Sequence, residues 1–518
     1  MAFTSWEFLL LTAGAAVVYY LLHRHTQWPV LLAASLIFYA AGGLGAMVWL
    51  FAIAAVTWGA GLVLERMNDA RKALPKGDKA GQQRIKRRKK AVVAVTAVLC
   101  FGLVYVMKYW NTTVALFPAA VERVLPRWDF LMPLGLSFFT FQSVGYVIDV
   151  YRSKYAAQWN PAKYLLFVSF FPQMVQGPIG RYDALAPQML ARRSVDWRMV
   201  DRGIQLAMWG YFKKMVIADR AAVVVNTVIG ENCPYGGAVI FVGILAYSVQ
   251  LYCDFSGGID ITRGVAQIFG IDMAENFLRP IFATSLADYW RRWHVSLGHW
   301  MRDYLFYPLS LSKPFAKLGK WGRRHLGGLP GKILATSAAT FVVYLVIGIW
   351  HGVNFRYFVY GIWNGSLITI SMLMEHRFLA WKQALHINDK SRGYHFFTMA
   401  RTWLIVLFGR YIGSSPRLLV ALSLMATTIL HPVPSQLWDG TLLNLGITGT
   451  DWAIIGLGTA VVLAVETFQE RGGKVRETLE RQNGFVQWLA IAVPLIVILL
   501  LGVFRAGYIS SSFIYGQY

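Results

Sequence analysis

Two histidines are candidates for chemistry in this chain, since imidazole is the ordinary proton carrier near neutral pH. His351 follows the apolar run Ile333–Ile349 in the stretch Gly348-Ile-Trp-His-Gly-Val-Asn354, and a further apolar run ends Tyr360-Gly-Ile-Trp-Asn-Gly365. The glycines beside it admit a close backbone approach. A neutral imidazole in that setting can take a proton from a hydroxyl, the task of a general base. A lone histidine on an apolar face can equally be a satisfied core residue.

The second histidine lies in Ser285-Leu-Ala-Asp-Tyr-Trp-Arg-Arg-Trp-His-Val-Ser-Leu-Gly-His-Trp-Met-Arg-Asp-Tyr304. Ser285 with Asp288 has the spacing of a capping box that starts a helix. On a helical wheel Tyr289, Trp293, Leu297, Trp300 and Tyr304 share one face, and Arg291, His294, Gly298 and Arg302 share the other. That pattern predicts a helix lying in a membrane interface on the cytoplasmic side. Its basic face, with Arg291 and Arg302, suits either a phosphate-bearing donor molecule or lipid headgroups. His294 sits at the edge of that face, where it would line an entrance.

Two more stretches mix polar groups with Gly and Pro. In Gln250-Leu-Tyr-Cys-Asp-Phe-Ser-Gly-Gly-Ile-Asp260, Asp254 follows an apolar run directly. A carboxylate at membrane depth is a functional candidate, or it pairs with a neighbouring Arg or caps a helix. In Phe171-Pro-Gln-Met-Val-Gln-Gly-Pro-Ile-Gly-Arg181 two prolines and two glycines should break a helix. Gln173, Gln176 and Arg181 would then line a cavity, or the segment is a simple kink between helices.

The elements that must position these residues read as membrane helices. Of the 518 residues 56% are hydrophobic, and the mean hydropathy is +0.45, above ordinary soluble usage. Phe3–Leu22, Leu31–Leu64 (long enough for two), Ala91–Met107, Ala238–Tyr252, Ile333–Ile349 and Val486–Val503 are long apolar runs. Roughly eleven to thirteen transmembrane and re-entrant helices are expected, in one all-α polytopic domain over residues 1–518. The first run lacks a basic leader and a small-residue cleavage site, so it reads as a retained span.

The net charge of +24 would suggest nucleic acid in a soluble protein. Here the basic residues fall in short loops, where they set topology. The loop from Glu65 to Lys90 ends Arg84-Ile-Lys-Arg-Arg-Lys-Lys90 and should be cytoplasmic, which places both termini outside. Arg192, Arg193 and Arg198 mark another cytoplasmic loop. So do the basic stretches Arg291 to Arg324, Arg377 to Arg401 and Arg471 to Arg481. Cys100, Cys233 and Cys253 have neither disulfide-framework nor zinc spacing, and no metal is expected.

Asp288-Tyr-Trp-Arg-Arg-Trp-His294, Trp300-Met-Arg-Asp-Tyr304 and Trp350-His-Gly352 together resemble the membrane-bound O-acyltransferase family, on the side of its alginate O-acetylation branch. Gln250-Leu-Tyr-Cys-Asp-Phe-Ser-Gly257 and Gln176-Gly-Pro178 match as well, in the same order. The resemblance implies a ring of tilted helices around a central tunnel. It implies that His351 is the catalytic residue and His294 the second signature histidine, with Asn364 and Asp254 supporting. A cytoplasmic thioester, acetyl-CoA or an acyl carrier, would present the acyl group while His351 deprotonates a hydroxyl. Asn364 or the Trp350 N–H would then stabilise the oxyanion.

No bound cofactor is implied. The acceptor would be a cell-envelope polysaccharide such as alginate, reached through an extracytoplasmic acyltransferase or hydrolase-fold partner, in a bacterial cytoplasmic membrane. The tail Phe513-Ile-Tyr-Gly-Gln-Tyr518 resembles the branch's aromatic tail, so Tyr515 either carries the acyl group or the tail docks the partner. Tyr307-Pro-Leu-Ser-Leu-Ser-Lys-Pro314 stands where many relatives have a Gly-Gly-Asn-Arg turn, which leaves the acceptor open. A D-alanyl transferase for teichoic acid is the alternative enzyme. A polysaccharide transporter or export channel is the alternative class, and it would call for an internal inverted symmetry that the sequence does not display.

Overall fold

The computed structural model describes residues 1–22, 26–115, 117, 125, 127–128, 133 and 135–503. Tyr515 lies outside the described residues. The chain clusters into two compact units. Among the described residues, one gathers Met1–Gly210 and Gly258–Ala274; the other gathers Tyr211–Gly257 and residues 275–503. The long helix Gly237–Ile268 contributes to both.

Among the described residues six helices are long and apolar enough to cross a membrane: Leu44–Ala73, Lys79–Val114, Gly237–Ile268, Gly328–His351, Gly449–Glu470 and Gly484–Leu501. Phe355–Leu373 and Glu375–Ala384, bent by 60°, make a seventh if counted as one span. Lipid offers no partners to backbone amides, so helices that satisfy them internally are the available solution. The protein is a polytopic, all-helical membrane protein. Trp6–Leu21, Gln27–Ala40 and Leu418–Leu430 are apolar but shorter. At 1.5 Å per residue they reach only about 20–24 Å, less than a hydrocarbon core of about 30 Å. The expectation of eleven to thirteen transmembrane and re-entrant helices exceeds these six or seven spans among the described residues.

In the first unit the apolar run Leu31–Leu64 divides as expected. Gly43, at φ +120°, separates the helix ending at Ala40 from the one beginning at Leu44. Phe3, Phe8, Phe38 and Phe171 form a buried aromatic cluster there. Asn160 accepts from the Ala162 and Lys163 amides, and Pro161 opens the helix Pro161–Ser169. That helix stops before Phe171, and the next begins at Tyr182, so the Pro/Gly stretch does break helical structure.

In the second unit two helices form a tight hairpin, Gly328–His351 and Phe355–Leu373. Asn354 turns the corner, its side chain accepting from the Arg356 amide at 3.1 Å. The unit also holds the strongly amphipathic helix Lys313–His325. Its buried Gly319 and Gly322 press on Ala335 and Leu334, while Lys313, Lys317, Lys320, Arg323 and Arg324 are exposed.

Candidate functional site

The hairpin fixes the first histidine. Gly348 and Gly361 have no side chain to keep the two helices apart, so the backbones close on each other. His351 is the last residue of its helix and is 9% exposed. Its ring stands 4.9 Å from that of Trp350 and 6.2 Å, stacked, from that of Tyr357, between centroids.

The second histidine is placed by a break in the chain. Ser285 caps the helix Leu286–Arg292, its hydroxyl accepting from the Asp288 amide at 3.1 Å. The Asp288 carboxylate accepts from the Thr284 amide at 3.3 Å instead of the Ser285 amide, so the capping box is half formed. The expected single helix from Ser285 to Tyr304 is not what folds. It stops at Arg292, and His294 takes φ +49°, a left-handed conformation that is rare outside glycine. A new helix, Val295–Met301, follows, and then a π-helical turn, Arg302–Phe306. The wheel drawn across the whole stretch therefore fails beyond Arg292. Its expected basic face is not one face: His294 is 3% exposed, Arg291 pairs with Asp288 at 3.3 Å, and Arg302 pairs with Asp303 at 3.0 Å. The basic amphipathic helix of this region is Lys313–His325 instead.

The break is held by a short extended pairing. Phe277 bridges Trp293 in antiparallel fashion, the Leu278 amide donates to the Arg292 carbonyl at 2.9 Å, and the Val295 amide donates to the Asn276 carbonyl at 3.0 Å. Phe255 meets the His294 ring edge-to-face at 4.9 Å. Burial, and after it the charge of the nearby His351, pushes the His294 imidazole down to about 3. The two histidines are thus electrostatic neighbours, and Trp350 adjoins both, its ring 6.5 Å from that of His294.

The remaining expected site residues occupy supporting places. Asn364 is buried; its Oδ1 accepts from the Trp290 indole N–H at 3.1 Å and its Nδ2 donates to the Tyr360 carbonyl at 2.9 Å. It holds Trp290, four residues before His294. Asp254 is buried and pairs with Lys214 at 2.5 Å, while Lys214 also pairs with Asp219 at 2.9 Å. The cation paired with Asp254 is thus a Lys where an Arg was expected. Gln176 belongs to the first unit, fully buried, where a Cβ on Gly258 would meet its Oε1 at 2.3 Å. Gln173 in the same stretch donates to Gln142 Oε1 at 2.8 Å.

Sequence reasoning passed over several residues that shape the site. Asn276 carries no motif spacing relative to His294. Arg410 donates to the Tyr289 hydroxyl at 2.6 Å and stands 5.0 Å from the Trp293 ring. Lys213 and Lys214 do carry a signal, a pair of cations amid apolar residues, and both are buried on a π-helical turn, Phe212–Ala218. Lys213 donates to the Ser256 hydroxyl at 2.9 Å.

A multi-pass helical membrane protein with two buried, neighbouring histidines in one unit is the class that this geometry defines. Residues 90–384 match the family described as MBOAT, membrane-bound O-acyltransferase family. The chain belongs to that family. A protein of Pseudomonas syringae pv. tomato named probable alginate O-acetylase AlgI is 35% identical over 291 residues, 56% of this chain and 50% of that protein. A peptidoglycan O-acetyltransferase of Helicobacter pylori is 29% identical over 272 residues, 48% of each. A teichoic acid D-alanyltransferase of Bacillus subtilis is 27% identical over 300 residues, 56% of this chain and 70% of that protein. The chain spans about half the length of the alginate-type relatives that it matches.

Proposed function

We propose that this chain is a membrane O-acyltransferase that passes an acyl group, acetyl first of all, from a cytoplasmic thioester to a hydroxyl bound for an extracytoplasmic polysaccharide. The observation that carries the proposal is the pairing of His351 and His294 around Trp350 within one unit. Family membership and likeness to a probable alginate O-acetylase and a peptidoglycan O-acetyltransferase support it.

In this mechanism His351 accepts the proton of the attacking hydroxyl as its oxygen bonds to the thioester carbonyl carbon. The Trp350 indole N–H stabilises the negative charge on the carbonyl oxygen. The C–S bond then breaks, and the thiolate leaves with the proton that His351 held. Acetyl-CoA fits as donor, and the exposed lysines and arginines of Lys313–His325 supply charge for its phosphates. A secreted acyltransferase or hydrolase-fold partner would receive the acyl group, in a bacterial cytoplasmic membrane with both termini outside.

The test is acetyl transfer from radiolabelled acetyl-CoA by membranes that carry the full chain or its His351→Ala variant. We expect the variant to be made and folded normally and to transfer nothing above background. Transfer that persists undiminished in a folded variant would sink the proposal. The match to most of a teichoic acid D-alanyltransferase favours a second reading, in which the donor is an acyl group on a carrier protein. Label that moves from a charged carrier protein and never from acetyl-CoA would select it.

A further inference from the structure

We infer that Asn276 fixes His294 in its Nδ1–H tautomer, so that Nε2 is the basic nitrogen of that ring, and that Asn276 is a positioning residue for the reaction. Its catalytic half rests on the function proposed above; its hydrogen-bond half does not.

The argument turns on one oxygen with two neighbours. The Ser296 backbone N–H meets the Asn276 side chain at 2.9 Å. A backbone N–H can only donate, so the amide atom facing it must be the carbonyl oxygen and not the NH2 group. That settles which way round the carboxamide lies. The same oxygen stands 3.3 Å from His294 Nδ1. A carbonyl oxygen can only accept, so Nδ1 must carry hydrogen. Its two lone pairs serve both donors. Neutral imidazole has a single N–H, so with Nδ1 protonated the basic lone pair lies on Nε2.

The surroundings leave the pair little freedom. Asn276 and His294 are 1% and 3% exposed. The Val295 amide binds the Asn276 carbonyl, Phe277 bridges Trp293, and the Leu278 amide binds the Arg292 carbonyl. The two short segments are therefore stapled on both sides of the side-chain contact. The left-handed backbone at His294 brings its own ring and the following Ser296 amide to the same oxygen. A residue held in such a conformation by its neighbours is a common mark of a functional position. The edge of Phe255 closes on the ring at 4.9 Å, and His351 is the titratable neighbour whose charge bears on it.

The experiment uses the full chain in lipid bilayers with 15N-labelled histidine. The His294 signals are assigned by their disappearance in His294→Gln, and their tautomer is read by NMR at pH 7. We expect Nδ1 protonated and Nε2 bare. Asn276→Asp keeps an acceptor oxygen for both donors, so it should retain the tautomer while moving the acid limb of the activity profile to higher pH. Asn276→Ala should bring an Nε2–H population and lower kcat on the order of 10²-fold with little change in KM. Asn276→Asp should rescue most of that loss at its own optimum. An Nε2–H tautomer in the unmodified protein would overturn the inference, and so would a folded Asn276→Ala variant with an unchanged tautomer. A bare Nε2 in a preparation where neither His294→Gln nor His351→Ala changes acyl transfer would uphold the hydrogen-bond assignment and overturn the proposed function instead.

Discussion

Gly348 and Gly361 meet backbone to backbone. A Cβ on Gly348 would stand 2.7 Å from the Gly361 Cα and 2.5 Å from the Tyr357 carbonyl oxygen, and one on Gly361 would stand 2.8 Å from the Tyr344 carbonyl oxygen. This crossing lies three residues before each of two candidate site residues: His351 follows Gly348 on one helix, and Asn364 follows Gly361 on the other. The helix separation at the glycines thus sets where His351 sits relative to Asn364, the residue that holds Trp290.

Gly348→Ala and Gly361→Ala should each force the helices apart, because the atoms in the way are backbone and cannot swing aside. We expect a loss of about 1–3 kcal/mol, the usual range for overpacking. Acyl transfer should fall even at temperatures where the variants stay folded. Gly365→Ala is the graded control, since its nearest neighbour is the Phe341 ring at 3.1 Å, a side chain that can give. Gly456→Ala, with nothing within 4 Å, should be neutral or slightly stabilising. Thermal unfolding in detergent, with activity measured in parallel, ranks all four.

Lys214 joins Asp254 and Asp219 at 2.5 and 2.9 Å, all three nearly sealed from solvent. Lys214→Met should leave two buried carboxylates facing each other, and we expect it to cost about 3–5 kcal/mol. The triple change Lys214→Met, Asp219→Asn, Asp254→Asn should regain most of that, since the two carboxylates that Lys214 neutralised lose their charge with it. Folded yield and unfolding midpoints compare the two. A triple variant no better than the single one would mean that the cluster has a role beyond balancing its own charge.

The membrane class and the two histidines were legible in the sequence because each depends on local composition: long apolar runs, and ionisable groups beside them. The break at His294 was not legible. Tyr289, Trp293, Leu297, Trp300 and Tyr304 keep helical spacing, so periodicity alone joins them. The pairing of Phe277 with Trp293 overrides it, through a contact sixteen residues apart that no local pattern reports. Asn276 was missed for the same reason. Asp254 was found, but its partner Lys214 lies 40 residues away, on a helix that nothing in the motif identifies. Arg291 and Arg302 looked like one basic face only under the continuous-helix reading.

Arg410 touches two rings of the segment before His294: its Nη2 donates to the Tyr289 hydroxyl at 2.6 Å, and its guanidinium stands 5.0 Å from the Trp293 ring centre. Lysine supplies the charge but not a planar group that can donate to one ring while lying over another. Arg410→Lys should therefore behave more like a loss than a conservative change, costing about 1–2 kcal/mol. It should also lower transfer, because Trp293 adjoins His294. Near-native stability and activity in Arg410→Lys would show that charge alone suffices there.

Burial holds His294 down to about 3, against about 6.5 for an unhindered imidazole. The sign of the consequence follows from where protons bind. Above about pH 6.5 neither folded nor unfolded His294 is charged, and folding is indifferent to pH through this group. Below that value the unfolded chain takes up a proton that the folded chain refuses, so stability falls as the pH drops towards 3. The unfolding midpoint of the full chain should therefore decline between pH 7 and pH 5, and His294→Gln should decline less steeply over the same interval. The difference between the two slopes isolates this ring from other titrating groups. Equal slopes would mean that His294 titrates alike in both states, and that its seal against water is not tight.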